Sequence, residues 1–382
     1  MIDGFLKGIL TLMNIQNLAT WLEIDLIQLK ENLSELQKMT GKPVMAVVKA
    51  NAYGHGLVDI ALAAEAAGSP WCGVARLEEA LALRQAGVNA HILVLGYTPP
   101  GSAVLAAVEN ISLAVYDRAT AQAYAAAGIE SGKTLNVHLK IDSGMGRLGV
   151  FPEEGVEMAK YLRSLPGINL QGLFTHFARA DEPELPATNQ QLAKFANLVK
   201  DLEKDNLKPE FVHASNSGGT LAFNDAWYDF VRPGIAMYGL SPSSKALVPA
   251  ALKPILSWKT RLISVKELPA GYGVGYGHRY VLTKPEMIGA LAIGYADGFR
   301  RVPGNEVLIA GKRAKVIGSV CMDQCMVQLG DIPEAKIGDE VVIIGKQGEQ
   351  TITADDVAAR WGTINYEVIA GIAARVSRVY VR

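Results

Sequence analysis

The sequence predicts an α/β protein: an N-terminal (β/α)8 TIM-like barrel followed by a C-terminal, mostly-β domain. Three observations predict it. From about Pro43 to Gly239, eight short β-rich apolar runs alternate with amphipathic helical stretches, the pattern of parallel strands covered by helices. Eight such repeats in roughly 200 residues suit a closed barrel. An open doubly wound sheet is the alternative, but no G-x-G-x-x-G occupies the first βα turn. After about Lys253 the rhythm changes to closely spaced alternating runs punctuated by Gly and Pro, which reads as an all-β domain.

The elements follow in order. Residues 1–20 form an N-terminal extension whose apolar run, Ile9, Leu10, Leu12 and Met13, is too short to span a membrane. Asp3 and Lys7 cancel and no A-x-A site follows, so the run is not a secretory signal; it is expected to pack on the β domain. Trp21 to Gln37 reads as a helix-like preface. The eight barrel runs are Val44–Val48, Trp71–Ala75, His91–Leu95, Ile111–Tyr116, Leu135–Ile141, Leu170–Thr175, Glu210–Ala214 and Asp229–Val231. Helical stretches between them include Glu78–Gln85, Ala119–Ala127, Gly155–Ser164 and Gln190–Lys204, and Gly68, Gly87 and Gly128 read as C-caps. The polar, Pro-containing stretch Ser241–Pro254 marks the boundary, giving a barrel at 21–253 and a β domain at 254–382. In that domain the strand-like runs are Ile255–Val265, Gly289–Ile293, Val307–Ile309, Arg313–Ile317, Cys325–Leu329 and Glu340–Ile344, and only Ala354–Trp361 looks helical.

Composition narrows the function. With 49% apolar and 20% charged residues among 382, the chain can bury a large core, which excludes wholesale disorder. A net charge of −1 argues against a general nucleic-acid binder but leaves room for a local cationic pocket. No uninterrupted apolar stretch is long enough for a membrane span. Cys72, Cys321 and Cys325 are too few and too scattered for a disulfide framework, so a reducing cytoplasm is expected. His55, His91, His138, His213 and His278 lack metal-ligand spacing with Cys or Asp, and Cys321 and Cys325 have no second pair, so no metal site is expected.

In a (β/α)8 barrel the functional residues stand at the C-terminal ends of strands. The first run ends Val48-Lys49-Ala50-Asn51-Ala52-Tyr53-Gly54-His55-Gly56. A lysine directly after a strongly apolar strand is costly unless paired or used, and burial makes its amine a nucleophile toward carbonyls. An ion-paired lysine at the barrel mouth is the plainer alternative. The fifth run ends in Lys140 to Arg147, the sixth in Thr175-His176-Phe177, the seventh in Val212 to Gly219 and the eighth in Val231-Arg232-Pro233-Gly234-Ile235. Small polar residues and glycines after strands seven and eight suit a phosphate. Phosphate loop, cationic strand ends and buried lysine together fit a phosphorylated aldehyde held as an imine, and pyridoxal 5'-phosphate (PLP) meets that description.

At this point the motifs resemble a family. Val47 to Gly56 is similar to the PLP-lysine signature of bacterial alanine racemases, and further landmarks occur in order from Trp21-Leu22-Glu23-Ile24-Asp25 to Arg375-Val376-Ser377-Arg378. They include Gly294-Tyr295-Ala296-Asp297-Gly298, Cys321-Met322-Asp323-Gln324-Cys325 and Thr363-Ile364-Asn365-Tyr366-Glu367. The resemblance implies a barrel-plus-β-domain enzyme, a homodimer whose active sites are shared between subunits, and racemisation of alanine that supplies D-alanine for peptidoglycan. It implies that Lys49 carries the cofactor and is the base on one face, with Tyr276 of the partner chain the base on the other. Tyr53, Asn216, Ser217, Gly234, Ile235 and Tyr366 would hold the phosphate. Arg232, backed by His176, would meet the pyridine nitrogen, and Arg147 and the Met322 backbone the substrate carboxylate. Lys140 matches a lysine commonly carbamylated in the family, where it orients Arg147; Asp297 and Asp323 read as loop residues rather than bases.

The chemistry is coherent. Racemisation removes a Cα proton on one face and returns one on the other, which two opposed bases accomplish. A free tyrosine titrates near 10, so a tyrosine base needs a drop of about 2–3 units, which nearby cations supply. An arginine keeps its proton and leaves the pyridine nitrogen it meets without one, so the cofactor is a weaker electron sink. The chain departs from many relatives at Gly275, Arg279 and Ser319, where Ser, Thr and Arg are common, and in its first 18 or so residues; these departures bear on substrate range. The competing readings are a racemase of serine or a broader set of amino acids, a PLP decarboxylase, and a non-catalytic PLP-binding barrel. A decarboxylase would want an acid where Arg232 stands, and a non-catalytic barrel needs neither Tyr276 nor residues 254–382.

Overall fold

The computed structural model describes residues 15–246 and 248–381. The chain forms two compact units: Ile27–Pro254, and the residues through Leu26 together with those from Ile255 onward. The apolar run at Ile9–Met13 lies outside the described residues.

The preface is not one helix. Thr20–Asp25 is a strand (β1) and Leu26–Thr40 a helix. Alternation decides the first part, with Leu22 and Ile24 buried and Glu23 and Asp25 less so. β1 pairs antiparallel with Leu256–Leu268 and parallel with Ser377–Val381, so it belongs to the β unit rather than the barrel. The helix buries Leu29, Leu33 and Leu36 at helical spacing. Its buried Asn32 donates to the carbonyls of Met237 and Lys253 and accepts the Lys253 N–H.

In the larger unit the strands are β2 (Met45–Val47), β3 (Trp71–Val74), β4 (His91–Val94), β5 (Ile111–Val115), β6 (Leu135–Lys140), β7 (Ile168–Phe174) and β8 (Phe211–His213). All neighbours are parallel and in sequence order. The eighth run shrinks to a bridge, Val44 with Val231. It still bonds on both sides: Met45 N–H to Val231 O and Val231 N–H to Pro43 O on one, Asp229 N–H to Val212 O and Arg232 N–H to Ser215 O on the other. Pro43 and Pro233 lack the N–H groups that would lengthen the ladder. The barrel is therefore closed, and one end of its interior is filled by Met45, Trp71, Leu93 and Phe230.

Gly128 is not a cap. The helix Arg118–Glu130 continues through it, and position 128 needs glycine because the backbone of Gly167 passes where a side chain would stand. A β-bulge lies in β7: Leu170 pairs with Val137 and Gly172 with His138, so Gln171 is the extra residue.

The smaller unit holds β1, β9 (Leu256–Leu268), β10 (Gly273–Val274), β11 (Tyr280–Val281), β12 (Glu286–Leu291), β13 (Glu306–Ile309), β14 (Lys312–Ile317), β15 (Cys325–Gln328), β16 (Glu340–Gln347), β17 (Gln350–Ile352) and β18 (Ser377–Val381). The long β9 pairs with both β12 and β16, and the pairings β12–β15, β15–β14, β14–β13 and β13–β16 close the ring. Closure leaves β17, beside β16, and β18, beside β1, at the ends of the strand order. Besides Ala354–Trp361, Asn365–Ala370 is helical.

Candidate active site

β2 delivers Lys49, and the chain then turns through Ala50, Asn51, Ala52 and Tyr53, each with φ between 52° and 55°. Left-handed backbone costs a non-glycine residue about 1–2 kcal/mol, so contacts must hold this turn. Ala52 N–H donates to Val48 O, Leu57 N–H to Asn51 Oδ1 at 2.9 Å, and His55 Nδ1–H to Ala52 O at 2.9 Å. Ala50 N–H donates to Glu79 Oε1 at 2.6 Å. The ring of Tyr53 stands 5.1 Å from that of Tyr238, whose hydroxyl donates to Val47 O.

A group of cations shares this end of the barrel. Burial, reinforced by Arg147 and Arg232, lowers the basicity of the Lys49 amine, while Glu79 works the other way. Burial, then Arg147, Arg232 and Lys49, brings Lys140 down to about 7. Its Nζ lies 4.7 Å over the ring of Phe174. Arg147 ends a loop gathered by Asp142, whose Oδ1 accepts the N–H groups of Gly144, Met145 and Gly146 and whose Oδ2 accepts that of Arg147. Burial opposes ionisation of Asp142, but these four donors outweigh it and hold the carboxyl below its usual range. Gln191 joins this loop to the next, donating to Ser143 Oγ and His176 O and accepting from Ala178 N–H.

Arg232 is fully enclosed. Its Nη2 donates to Thr175 O at 2.8 Å and Ala214 O at 3.0 Å, and its Nη1 to His213 Nδ1 at 2.9 Å. The imidazole bonded to the guanidinium is therefore His213, not the expected His176. His176 lies nearby, where burial first and Arg232 next depress its basicity. Because arginine only donates, His213 Nδ1 accepts and Nε2 carries the proton. That proton goes to His138 Nδ1 at 2.9 Å, so His138 carries its own on Nε2, facing Gln171 Oε1 at 3.3 Å; Ser112 Oγ donates to the same oxygen at 2.8 Å. The bulge at Gln171 aims its amide into the barrel, and the missing side chain at Gly172 makes room for the His138 ring. Every link runs away from Arg232, so nothing in the chain draws off its proton. Burial lowers Arg232 to about 9, still protonated near neutrality.

Asn216, Ser217, Gly234 and Ile235 also come together. Asn216 Oδ1 caps the short helix Ser217–Ala222 through Gly219 N–H, and its Nδ2 donates to Phe177 O. Ser217 Oγ accepts the N–H groups of Gly234 and Ala236, which leaves the hydroxyl proton to offer a ligand. Tyr276, Met322 and Tyr366 lie in the β unit. Tyr276 sits between β10 and β11 and is 69% exposed, and Met322 is 54% exposed. Met322 O accepts Ala296 N–H. Asp297 and Asp323 share Arg375, at 3.0 Å and 2.8 Å.

Sequence reading passed over Glu79, Asp142, Gln171, Gln191 and the His138–His213 pair. A glutamate in the first turn of the helix Leu77–Gln85 looks like an ordinary cap, and paired buried histidines leave no mark in spacing. The donor set itself is informative. Four basic side chains, Lys49, Lys140, Arg147 and Arg232, meet two carboxylates, Glu79 and Asp142, whose oxygens are engaged by backbone N–H groups. Such a mouth takes an anion, and its half-buried Lys49 amine takes a carbonyl, so the residues fit PLP.

Two family models match, "Alanine racemase, N-terminal domain" over residues 24–242 and "Alanine racemase, C-terminal domain" over residues 255–380. The chain belongs to the alanine racemase family. This racemase is 44% identical to the alanine racemase of Symbiobacterium thermophilum over 94% of the chain and 97% of the relative, and 40% identical to that of Desulfovibrio desulfuricans over 94% and 98%. Among solved structures it resembles the alanine racemase of Clostridium difficile, with TM-score 0.92 and 38% identity over 96% of this chain and 97% of that one. It also resembles the Bacillus anthracis alanine racemase with bound L-Ala-P, with TM-score 0.90, 40% identity and 95% coverage of each. The racemase is an isomerase, and none of its described helices is long and apolar enough to cross a membrane.

Proposed function

We propose that the enzyme interconverts L- and D-alanine with PLP by a two-base mechanism, as a cytoplasmic homodimer that supplies D-alanine for peptidoglycan. The observation that carries this reading is a half-buried amine of lowered basicity, Lys49, grouped with an arginine, Arg232, whose buried partners all accept or pass protons away from it. When bound, PLP supplies an aldehyde that condenses with amines and a conjugated ring that spreads the charge left when a Cα proton departs.

The chain's residues do the rest. Lys49, with its basicity lowered by burial and by Arg147 and Arg232, is the group to hold the cofactor and to move a proton on one face. Tyr276 from the partner subunit serves the other. Ser217, Asn216, Gly234, Ile235, Tyr53 and Tyr366 are the residues to hold the phosphate. Arg232 would meet the pyridine nitrogen with an N–H and leave it unprotonated, which would favour racemisation over reactions that need a deeper electron sink. Arg147 and the Met322 backbone would receive the substrate carboxylate. At about 7, Lys140 is substantially neutral at physiological pH, the form that reacts with CO₂ to give a carbamate, and the anion so made would neutralise one charge beside Arg147.

The test is racemisation of a panel of L-amino acids in deuterated water. Alanine should turn over fastest with deuterium entering at Cα, and serine more slowly, since small side-chain changes are worth about 1–3 kcal/mol. Release of CO₂ without racemisation would overturn the proposal, and equal kcat/KM for lysine or arginine would make the enzyme a broad-range racemase.

A further inference from the structure

Glu79 opens the helix Leu77–Gln85, and its Oε2 accepts Ala75 N–H at 2.8 Å and Arg76 N–H at 3.2 Å. Those two bonds are ordinary helix capping. Capping does not account for the third. Glu79 Oε1 accepts the N–H of Ala50, 29 residues earlier and the first residue of the left-handed turn, at 2.6 Å. That peptide N–H is the one directly after Lys49. The turn is strained and its non-glycine residues do not favour it, so a charge-assisted bond at its entry bears on where the Lys49 side chain starts. The same carboxylate acts on the Lys49 amine, against Arg147, Arg232, Lys140 and His176, the other ionisable groups around it.

We propose that Glu79 is a positioning residue for Lys49: its carboxylate ties the strand-end peptide of Lys49 to the mouth of β3 and is the counter-charge to an amine set among Arg147 and Arg232. The proposal rests on Lys49 being the reactive amine. Neutralising Glu79 leaves Lys49 with cationic neighbours alone and makes its ammonium form harder to keep. A capping role alone would leave the amine unaffected.

Two variants separate the roles. Glu79→Gln removes the charge with little change of shape. Glu79→Asp keeps the charge but retracts it from Ala50. Two readouts are made on the full chain stripped of cofactor: hydrogen exchange at Ala50, and the pH midpoint of Lys49 acetylation, followed by mass spectrometry. Glu79→Gln should lower the Lys49 midpoint by about one unit or more. Glu79→Asp should leave that midpoint near wild type while speeding Ala50 exchange at least tenfold. In the holoenzyme the acid limb of the kcat profile should move with the midpoint. An unchanged Lys49 midpoint in Glu79→Gln overturns the electrostatic half of the proposal, and unchanged Ala50 exchange in Glu79→Asp overturns the clamp. Cofactor retained by a Lys49→Ala variant would instead overturn the reading of Lys49, and it leaves both Glu79 readouts intact.

Discussion

At the scale of single residues, the barrel holds its polar groups by fixing which atom carries each proton. Arg232 can only donate, and that single constraint propagates through His213 and His138 to Gln171. The two histidines are consequently kept neutral. Burial, with smaller contributions from Arg232 and His91 set against Gln171, takes His138 down to about 3, and burial and Arg232 hold His213 well below the ordinary range. The sign of the pH dependence follows. An unfolded histidine binds its proton near 6.5, whereas folded His138 does so only near 3. Between those values the unfolded chain takes up a proton that the folded chain refuses, so stability present above 6.5 is lost as pH falls toward 3, at about 1.4 kcal/mol per unit for each such histidine. Urea midpoints measured from pH 7 to pH 4.5 should fall steeply for wild type and less steeply for His138→Gln. Parallel slopes for the two proteins would mean that His138 does not titrate between the folded and unfolded states. Lys49→Ala should abolish covalent cofactor attachment, read as loss of the visible imine band. A band that persists and maps to another lysine would remove Lys49 from the centre of the site.

At the scale of elements, the bulge in β7 shows how a local irregularity serves the interior. One extra residue turns Gln171 inward, and Gly172 leaves the space that the His138 ring fills. Gly172→Ala forces its methyl group against that imidazole. It should cost about 1–3 kcal/mol as overpacking, seen as a lower Tm, and His138→Ala in the same chain should recover part of the loss. Equal Tm for Gly172→Ala and wild type would show that the ring can move aside freely. The bulge was not legible in the sequence, because Ile168–Phe174 reads as an unbroken strand whichever residue is extra. The strand-and-helix alternation was legible because apolar runs such as Trp71–Val74 and Ile111–Val115 are buried throughout. Trp21–Asp25 was misread because five residues are too few for period two to stand out before a true helix. Lys49 and Arg232 stood out as charges at the ends of apolar strands. Glu79, Gln171 and His213 did not, since the partner of Glu79 is 29 residues away, Gln171 turns inward only through a bulge, and His213 meets Arg232 from the neighbouring barrel run.

At the scale of the whole molecule, the question is what completes the site. Tyr276 lies between the two-residue strands β10 and β11 and is 69% exposed in the single chain. A hydroxyl that moves a Cα proton works best where water is excluded, and so exposed a group requires cover from elsewhere, which a second copy of the chain provides in the dimer proposed here. A tyrosine that merely packs at the subunit interface would have the same exposure, and complementation separates the two roles. Lys49→Ala and Tyr276→Phe are each expected to be inactive. When the two are mixed and exchange subunits, about half of the dimers are mixed. If each site takes its lysine from one chain and its tyrosine from the other, a mixed dimer contains one site with both native groups and one with neither. Roughly a quarter of wild-type activity should then return at equal mixing, with subunit exchange confirmed by mass. Confirmed exchange without recovered racemisation would mean that Lys49 and Tyr276 serve the same chain's site or that Tyr276 is not a base. Substantial activity in Tyr276→Phe alone would give the residue a packing role and leave the second face of the substrate to another group.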